Sequence, residues 1–321
     1  MTDNNNNNII IGNNWKIIKQ IDQGAFGIVY SGIDIRNNTK VAIKIEYDDC
    51  KMKQISNEYK VYRKINNTYI NTNCNIGISN IYWSNNNNIL VIDLFHFSLD
   101  KIFNDICNKK FSLKTITMIA IHCLRRIELL HELGYVYKDI KPNNFLTGYY
   151  TDKMIYLVDF GLCSSYISNN NNKKEFQHIP YKEYKDQCMI GTPRYASINV
   201  HLGREYSRRD DLESIAYMLI YFIRGSLPWQ NIKTTNKKEK YDKIGNLKMT
   251  MTLEEICTNC PIEFKTFLQY CRTLEFSTKP DYNYIKKIFY DLFKTQKWTD
   301  DCIYDWNMDN DNNSGKRCKI K

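Results

Sequence analysis

An acid, a lysine and an amide lie within six residues of one another in the segment Tyr135–Leu146, which reads YVYKDIKPNNFL. Asp139 can accept or orient the proton of a substrate hydroxyl. Lys141 can offset the negative charge of a phosphoryl group during its transfer, and Asn144 offers a neutral oxygen of the kind that Mg²⁺ accepts. Each residue alone is also a common turn or helix-capping residue, so their meaning depends on what accompanies them.

A second acid follows fifteen residues after Asn144, where the apolar run Leu157-Val158 ends in Asp159-Phe160-Gly161. An aspartate carboxylate is a hard anionic ligand, again suited to Mg²⁺. Asn144 and Asp159 are therefore the predicted metal ligands.

A lysine interrupts the apolar strand pattern KVAIKIE, which covers Lys40–Glu46. An ammonium group in an apolar setting costs free energy unless it finds an anion. Glu58, on the predicted helix Gln54–Ile65, can pair with Lys44 and hold it against a nucleotide phosphate. The alternative is an edge lysine whose stem covers apolar surface while its charge stays in water. The tetrapeptide VAIK does not decide between the two.

A glycine-containing hairpin is predicted over Gln20–Gly32, which reads QIDQGAFGIVYSG. Gly24 and Gly27 let the backbone amides approach a bound phosphate, although a tight turn with a structural glycine explains the pattern equally well. Asp22 occupies the place of the first glycine of a G-x-G-x-x-G loop, so it brings a negative charge towards a polyphosphate.

Two blocks of predicted elements must position these side chains. Up to about residue 95 the pattern is that of short β-branched strands with one helix. After Asp100 it is helical, with an apolar stripe within Leu113–Leu133, a stop at Gly134 and an apolar helix at Leu212–Phe222. The strands are predicted at Trp15–Ile21, Gly27–Gly32, Lys40–Glu46, Ile78–Ser84 and Ile89–Phe95. Asparagine runs at Asn4–Asn8, Asn85–Asn88 and Asn169–Asn172 are expected in tails or loops.

The composition is that of a folded globular protein, with 43% hydrophobic and 25% charged residues in 321. No apolar run reaches the roughly 18 residues of a membrane span, and the start MTDNNNNN is not a signal or transit peptide. We expect an intracellular protein of the cytoplasm or nucleus with its eleven cysteines reduced. The pair Cys257 and Cys260 lacks a second pair at zinc-finger spacing.

The net charge of +10 favours polyanionic partners or a basic solvated surface. Aromatic residues are spread along the chain and form no stacking motif, so specific nucleic-acid binding is not expected. Acidic or phosphorylated proteins are the expected partners, and the chain is expected to be a monomer without a membrane span.

In their order along the chain, these motifs resemble those of eukaryotic-type protein kinases. Within that class, several segments look like the casein kinase I family, which has S-I-N, here Ser197-Ile198-Asn199, where most kinases have A-P-E. The segments that look like this family are HIPYKEYKD (His178–Asp186), GTPRYASINVHLG (Gly191–Gly203), SRRDDLES (Ser207–Ser214) and RGSLPWQ (Arg224–Gln230). The resemblance as a whole covers Trp15 to Met308.

The resemblance implies a bilobal α+β kinase fold. It places a small β-rich lobe with one helix at residues 15–95 and a large helical lobe at 96–308, between an Asn-rich start at 1–14 and a short polar tail at 309–321. Asp139 would be the catalytic base, and Lys141 would stabilise the transferred group. Asp211 would anchor from below the loop that contains Asp139, Lys141 and Asn144, which we call the catalytic loop. The residues implied to bind Mg-ATP are Ile21, Gly24, Gly27, Val29, Ala42, Lys44, Glu58, Ile92, Asp93, Phe95, Asn144 and Asp159.

The resemblance also implies a serine/threonine kinase for acidic or phospho-primed substrates, with ATP and Mg²⁺ as cofactors. The substrate-anion residues would be Lys138, Lys182, Lys185, Arg194 and Lys240. Ser164 stands where a lysine is usual, so we expect the acidic preference to be kept and the dependence on priming to be altered.

Some positions depart from the family pattern. Tyr137-Lys138-Asp139 replaces the usual H-R-D, and we expect the tyrosine to be a packing change while the lysine loses the planar fork of arginine. His96 and Phe97 replace Gly-Pro after the hinge, which is expected to narrow the pocket mouth. Together with Asp22, the Tyr-Lys-Asp triplet motivates an alternative: a pseudokinase that serves as a phosphopeptide- or nucleotide-binding scaffold.

Overall fold

The computed structural model describes residues 9–50, 53–69, 75–149, 153–168, 177–184 and 189–307, which form two lobes. The small lobe is a curled antiparallel sheet with one helix. In chain order it contains β1 (Ile10–Ile11), β2 (Trp15–Gln23), β3 (Gly27–Asp34), β4 (Lys40–Glu46), α1 (Ile55–Tyr69), β5 (Ile81–Ser84) and β6 (Ile89–Asp93). Across the sheet the strands run β1-β2-β3-β4-β6-β5.

The alternation of side chains along β4 decides which residues face the helix. Val41 and Ile43 are fully buried on one face of the sheet, in a cluster with Trp15. Because successive side chains of a strand point to opposite faces, Ala42 and Lys44 lie on the other face. Ala42 is part of the main core there, together with apolar residues of α1. The predicted strand is confirmed, and its lysine faces the interior of the molecule.

Helix α1 begins one residue later than predicted and ends four residues further on. Its buried residues recur at helical spacing, as expected for one face of an amphipathic helix. One of them is an acid, Glu58, which needs a partner at that depth. The buried residues are Ile55, Glu58, Val61, Tyr62 and Ile65.

The last predicted strand of the small lobe, Ile89–Phe95, was wrong at its end. The strand β6 stops at Asp93, and Phe95–Ser98 forms a separate strand, β7, which pairs with a strand of the large lobe. The chain crosses between the lobes here, so one apolar run serves two sheets. The predicted strand at Ile78–Ser84 begins only at Ile81, although Ile78 forms a bridge with Leu157.

The large lobe is mainly helical, with short strands around the catalytic loop. It contains α2 (Leu99–Lys101), a π-helical turn (Ile102–Ile106), α3 (Leu113–Glu132), β8 (Tyr135–Val136), a 3-10 turn (Pro142–Asn144), β9 (Phe145–Gly148), β10 (Ile155–Leu157), β11 (Ser164–Ser165), β12 (Ile167–Ser168), β13 (Gln177–His178), α4 (Ile198–His201), α5 (Arg208–Arg224), α6 (Lys237–Thr250), α7 (Leu253–Ile256), α8 (Ile262–Thr273), α9 (Tyr282–Thr295) and a 3-10 turn (Asp305–Asn307).

The two long helices α3 and α5 form the centre of this lobe. The predicted stripe of α3 is confirmed, since Ile116, Ile119, Cys123, Ile127 and Leu130 are all buried. Gly134 follows the helix with a φ of +87°, a conformation that favours glycine. The predicted all-round burial of α5 is also confirmed from Leu212 to Phe222. At the start of this helix, the backbone amide of Ser207 donates to Oδ2 of Asp210 at 2.8 Å.

The asparagine run Asn85–Asn88 connects β5 to β6 as a turn, as predicted. The runs Asn4–Asn8 and Asn169–Asn172 lie outside the described residues. Of the helices that the structure describes, none combines the length and the apolar character needed to cross a membrane.

Candidate active site

Three ionisable groups from three elements meet between the lobes. Nζ of Lys44, on β4, lies 2.7 Å from Oε2 of Glu58 on α1 and 2.7 Å from Oδ1 of Asp159, which follows β10. The predicted pairing of Lys44 with Glu58 is therefore present. The second contact of Lys44, to Asp159, was not anticipated, because no pattern in the sequence fixes how β10 lies against β4.

The electrostatics of this cluster keep the lysine charged. Burial by itself lowers the pKa of Lys44, but the two carboxylates raise it above its ordinary value. Burial raises the pKa of Glu58, with Lys44 opposing that shift. Burial also acts to raise the pKa of Asp159, but Lys44 and the more distant Lys141 hold it below its ordinary value. Asp159 is thus an anionic oxygen donor at neutral pH.

Asp139 is held on both sides of its carboxylate. Lys141 Nζ donates to Oδ2 at 2.6 Å, and Thr192 Oγ1 donates to Oδ1 at 2.8 Å. Asn144 Nδ2 donates to the Asp139 carbonyl oxygen at 3.0 Å. The structure therefore brings the predicted acid, lysine and amide together, and it adds Thr192, whose role the sequence did not indicate.

The donor set for a metal fits a hard divalent cation. The side-chain amide nitrogen of Asn144 is directed to Asp139, so the side-chain oxygen Oδ1 of Asn144 is the atom left to act as a metal ligand. The amide of Val158, next to Asp159, donates to the backbone oxygen of Asn144 at 3.1 Å, which ties the two predicted ligands to one another. A neutral amide oxygen and a carboxylate are ligands that Mg²⁺ accepts.

Asp211 supports the catalytic loop from beneath, as the family resemblance implies. Its buried carboxylate accepts hydrogen bonds from the backbone amides of Tyr137 (2.7 Å) and Lys138 (2.9 Å). It also lies 2.8 Å from His131 Nε2 and accepts from the Tyr206 hydroxyl at 2.9 Å. Sequence reasoning missed both residues. His131 lies on α3, far from Asp211 along the chain, and Tyr206 lies outside the helix that carries Asp211. The loop includes Lys138 at a φ of +74°, a strained conformation of the kind often found at functional sites.

Aromatic packing connects the catalytic loop to α1. The ring of Phe160 lies 4.7 Å from that of Tyr62 and 5.8 Å from that of Tyr137, both edge-to-face. The hydroxyl of Tyr137 donates to the carbonyl oxygen of Val158 at 2.6 Å. Tyr137 is thus a packing residue beneath the loop, as expected.

Asn57 on α1 also fastens the segment after Asp159. Its Nδ2 lies 3.0 Å from the carbonyl oxygen of Gly161, 2.9 Å from that of Cys163 and 3.5 Å from that of Phe160. This contact was missed, since an asparagine beside Glu58 carries no signal of its own in the sequence. It holds α1 and the Asp159 segment in one arrangement.

The two loop glycines have different surroundings. Around Gly24 an added Cβ would meet no atom within 4 Å, whereas at Gly27 it would lie 2.2 Å from the carbonyl oxygen of Ile45. Gly24 is therefore open to a ligand, and Gly27 is required by the packing of β3 on β4. Asp22 is exposed and its carboxylate accepts from the Gln23 amide at 2.8 Å.

The predicted nucleotide pocket has apolar walls from adjacent strands. Ala42 of β4 lies opposite Ile92 of β6 in the sheet, and Val29 of β3 lies opposite Lys44. Ile21 is 44% exposed near the end of β2. Its predicted contact with a nucleotide remains a prediction.

The hinge side chains face away from this pocket. Those of Asp93 and Phe95 line a groove of about 930 Å³ on the far side of the hinge, where Asp93 accepts from the Tyr82 hydroxyl at 2.7 Å. The expected contact of their backbone with a nucleotide remains a prediction. His96 is stacked on Phe97, with ring centroids 3.9 Å apart.

The predicted anion-binding residues differ in exposure. Arg194 is half-buried over the rings of Tyr195 and Tyr221, and Lys138 is half-buried near Tyr206. Burial lowers the pKa of Lys138. Lys182 and Lys240 are exposed, and Lys185 lies outside the described residues. A shared anion site for these cations remains a prediction.

A separate group of His122, Asp300 and Cys302 brings three potential metal ligands within 4.8 Å of one another. Arg126 Nη2 lies 3.3 Å from Nδ1 of His122, and a guanidinium can only donate. Burial and the neighbouring arginine lower the pKa of His122 to about 3, so the ring is neutral. With Nδ1 accepting, Nε2 carries the proton and is not available to a metal. The group does not fit a metal site.

A family model described as the protein kinase domain matches residues 15–289, which is most of the chain. The protein therefore belongs to the protein kinase family. The expected bilobal α+β fold is confirmed, and membership entails phosphoryl transfer from ATP with a divalent metal.

Proposed function

We propose that the protein is an active serine/threonine kinase of the casein kinase I type that phosphorylates acidic or phospho-primed proteins. The observation that carries the proposal is the assembled site: Lys44 held by Glu58 and Asp159, close to a catalytic loop in which Asp139 contacts Lys141 and Asn144. Phosphoryl transfer depends mainly on positioning and electrostatics, and this arrangement of charged and polar groups supports the proposal.

Each residue has a defined task in this proposal. When bound, Mg-ATP supplies the phosphoryl group and a metal that offsets its charge. Lys44 presents a permanent cation to a phosphate oxygen, and Glu58 fixes its direction. Asp139 orients the substrate hydroxyl and takes its proton, while Lys141, 2.6 Å away, offsets the charge that develops. Asn144 and Asp159 hold the metal.

The substrate class is supported by charge and by the segment Gly191–Ala196. The net charge of +10 favours anionic partners. Arg194 lies two residues after Thr192, which contacts Asp139. A phosphate or carboxylate bound by Arg194 would thus lie near the reaction centre, and arginine suits such anions because its donors form a planar fork.

Two observations reduce the support for the pseudokinase alternative. Asp22 brings a negative charge to the loop, but its carboxylate is exposed to solvent and accepts from the backbone amide of Gln23. Lys138 is held by its backbone amide on Asp211, so the loss of arginine at this position does not displace the loop.

Phosphate transfer from Mg-ATP to casein and to a phospho-primed serine peptide tests the proposal. Wild type is compared with Asp139→Asn and Asp159→Ala. We expect Asp139→Asn to lower kcat by about 10² to 10⁴ without loss of nucleotide affinity. Asp159→Ala is expected to abolish transfer because the anionic metal ligand is lost.

Both variants must keep the thermal unfolding midpoint of wild type within a few degrees for the comparison to hold. If folded wild-type protein transfers no phosphate to either substrate, the active-kinase proposal is wrong. If it modifies neutral peptides as well as acidic ones, the substrate class is wrong.

A further inference from the structure

A fully buried lysine lies behind the segment that contains Thr192 and Arg194. Lys248, on α6, is 0% exposed. Its Nζ donates to the carbonyl oxygens of Pro193 at 2.9 Å and Ala196 at 2.6 Å. The ammonium group thus binds the backbone of this segment at two points.

Aromatic rings complete the surroundings of this ammonium group. The ring centroids of Tyr217 and Trp229 lie 4.8 and 5.0 Å from Nζ, within the range of cation–π attraction. His201 Nε2 lies 3.3 Å from Nζ. His201 also packs against Gly245 of α6, where an added Cβ would lie 2.9 Å from the Cβ and 3.1 Å from the ring Cγ of His201. The site is closely packed.

Burying the charged group of Lys248 costs free energy, so the stability of the fold does not by itself explain a lysine at this position. Among the described residues, no carboxylate oxygen lies within ion-pair distance of Lys248, and burial lowers its pKa. An apolar side chain of similar volume would avoid the cost of desolvation. What such a chain cannot supply is a set of hydrogen bonds that fixes two carbonyl groups.

The fixed segment lies between Lys248 and the catalytic loop. On its front, Thr192 Oγ1 donates to Asp139. Gly191 has a φ of +89°, and a Cβ there would lie 2.3 Å from the carbonyl oxygen of Lys138, so the backbones nearly touch. Behind it, Trp229 Nε1 donates to the carbonyl oxygen of Arg194 at 2.7 Å. The carbonyls of residues 193, 194 and 196 are therefore all held from the side of Lys248 and Trp229.

We propose that Lys248 is a positioning residue, which sets the place of Thr192 at Asp139 and of Arg194 at the acidic group of the substrate. It touches neither substrate nor nucleotide. The proposal rests on the proposed function for its substrate, but the position of the segment can be measured without catalysis.

The test replaces Lys248 by methionine, which keeps the volume and removes the donors. We expect kcat/KM for an acidic serine peptide to fall by about 10- to 100-fold, because small displacements of positioning groups cost that much. The ratio of kcat/KM for acidic over neutral peptides should fall as well, while the Kd for Mg-ATP should change less than about twofold, because Lys44, Asn144 and Asp159 are untouched. A loss of overall folding would weaken the binding of peptide and of Mg-ATP alike. A fall in peptide kcat/KM with little change in the Kd for Mg-ATP therefore distinguishes a positioning role from general loss of structure.

Lys243→Met is the matched control. Lys243 lies on the same helix, is half exposed, and pairs with Glu239 on the surface. Its replacement should leave the kinetics and the unfolding midpoint unchanged. If Lys248→Met does not fold, Trp229→Phe, which removes the indole bond to Arg194, is tested with the same measurements and the same expected split.

Hydrogen exchange supplies the readout that does not need activity. The amides of Tyr195 and Ala196 both donate to the carbonyl oxygen of Thr192, and they should exchange faster in Lys248→Met while amides of β4 do not. If wild type transfers no phosphate, the proposed function fails. The exchange of these two amides then tests by itself whether Lys248 positions the segment. Unchanged exchange, an unchanged kcat/KM for the acidic peptide, or equal weakening of peptide and Mg-ATP binding would each overturn the proposal.

Discussion

Gly24 and Gly27 flank one turn of the small lobe, but only Gly27 is confined by its neighbours. The space beside Gly24 is open, whereas the Cα hydrogens of Gly27 face the carbonyl oxygen of Ile45. One residue type thus serves two purposes: Gly24 leaves room for a ligand, and Gly27 lets β3 pair closely with β4.

Alanine at these two positions should separate the purposes. Gly27→Ala forces β3 away from β4 and should lower the free energy of unfolding by about 1 to 3 kcal/mol. Gly24→Ala should change it by less than about 1 kcal/mol while weakening Mg-ATP binding. Urea unfolding and nucleotide titration measure the two effects. Equal destabilisation by both variants would contradict this interpretation.

Helix α1 is the element that assembles the active site. It contributes Glu58 to Lys44, Tyr62 to the ring of Phe160, and Asn57 to the backbone after Asp159. A change in the position of this helix would therefore displace Lys44, the predicted metal ligand Asp159 and the loop that contains Asp139 together.

Asn57→Ala tests this coupling. It leaves the carbonyl oxygens of Gly161 and Cys163 without the amide donor, which should cost about 1 to 3 kcal/mol of stability. Exchange of amides in residues 160–163 should become faster, and kcat should fall because Asp159 is held less firmly. Asn67→Ala, at an exposed position of the same helix, is the control. An Asn57→Ala variant with wild-type kcat and exchange would show that the contact is dispensable.

At the scale of the whole molecule, the buried His122 and His131 and the half-buried His201 make stability depend on pH. Burial, reinforced by Arg126 and Lys248 respectively, lowers the pKa of His122 and of His201 to about 3, from an ordinary value of 6.5. Burial also lowers the pKa of His131, against the opposing effect of Asp211. The folded protein keeps these rings neutral while the unfolded chain binds protons below about pH 6.5.

The free energy of unfolding should therefore fall as the pH falls below the ordinary histidine value. From about pH 7.5 to about pH 5.5, each of His122 and His201 should contribute a loss of about 1 to 1.5 kcal/mol. His122→Gln removes one titrating ring and keeps an acceptor for Arg126, so its loss over this range should be smaller by that amount. Urea unfolding at both pH values measures the difference, and parallel curves for the two proteins would refute the assignment.

Sequence alone determined the class of fold and the chemical types at the active site. Strand and helix patterns, which depend on local periodicity, placed β4, α3 and α5 closely. They left open whether Lys44 pairs with Glu58, a pair that the resemblance to protein kinases implied and that the structure contains. The match of residues 15–289 to the protein kinase domain agrees with the kinase motifs. Local errors came where a tertiary contact ended a strand, as at Asp93, since β7 belongs to another sheet.

The tertiary structure decided which groups meet across long separations in the chain. The bond of Lys44 to Asp159, the bond of Thr192 to Asp139 and the burial of Lys248 behind Pro193 have no local signal. Each depends on how one packed element lies against another, which periodicity does not encode. The residue types predict the chemistry that is possible, and packing selects which atoms can perform it.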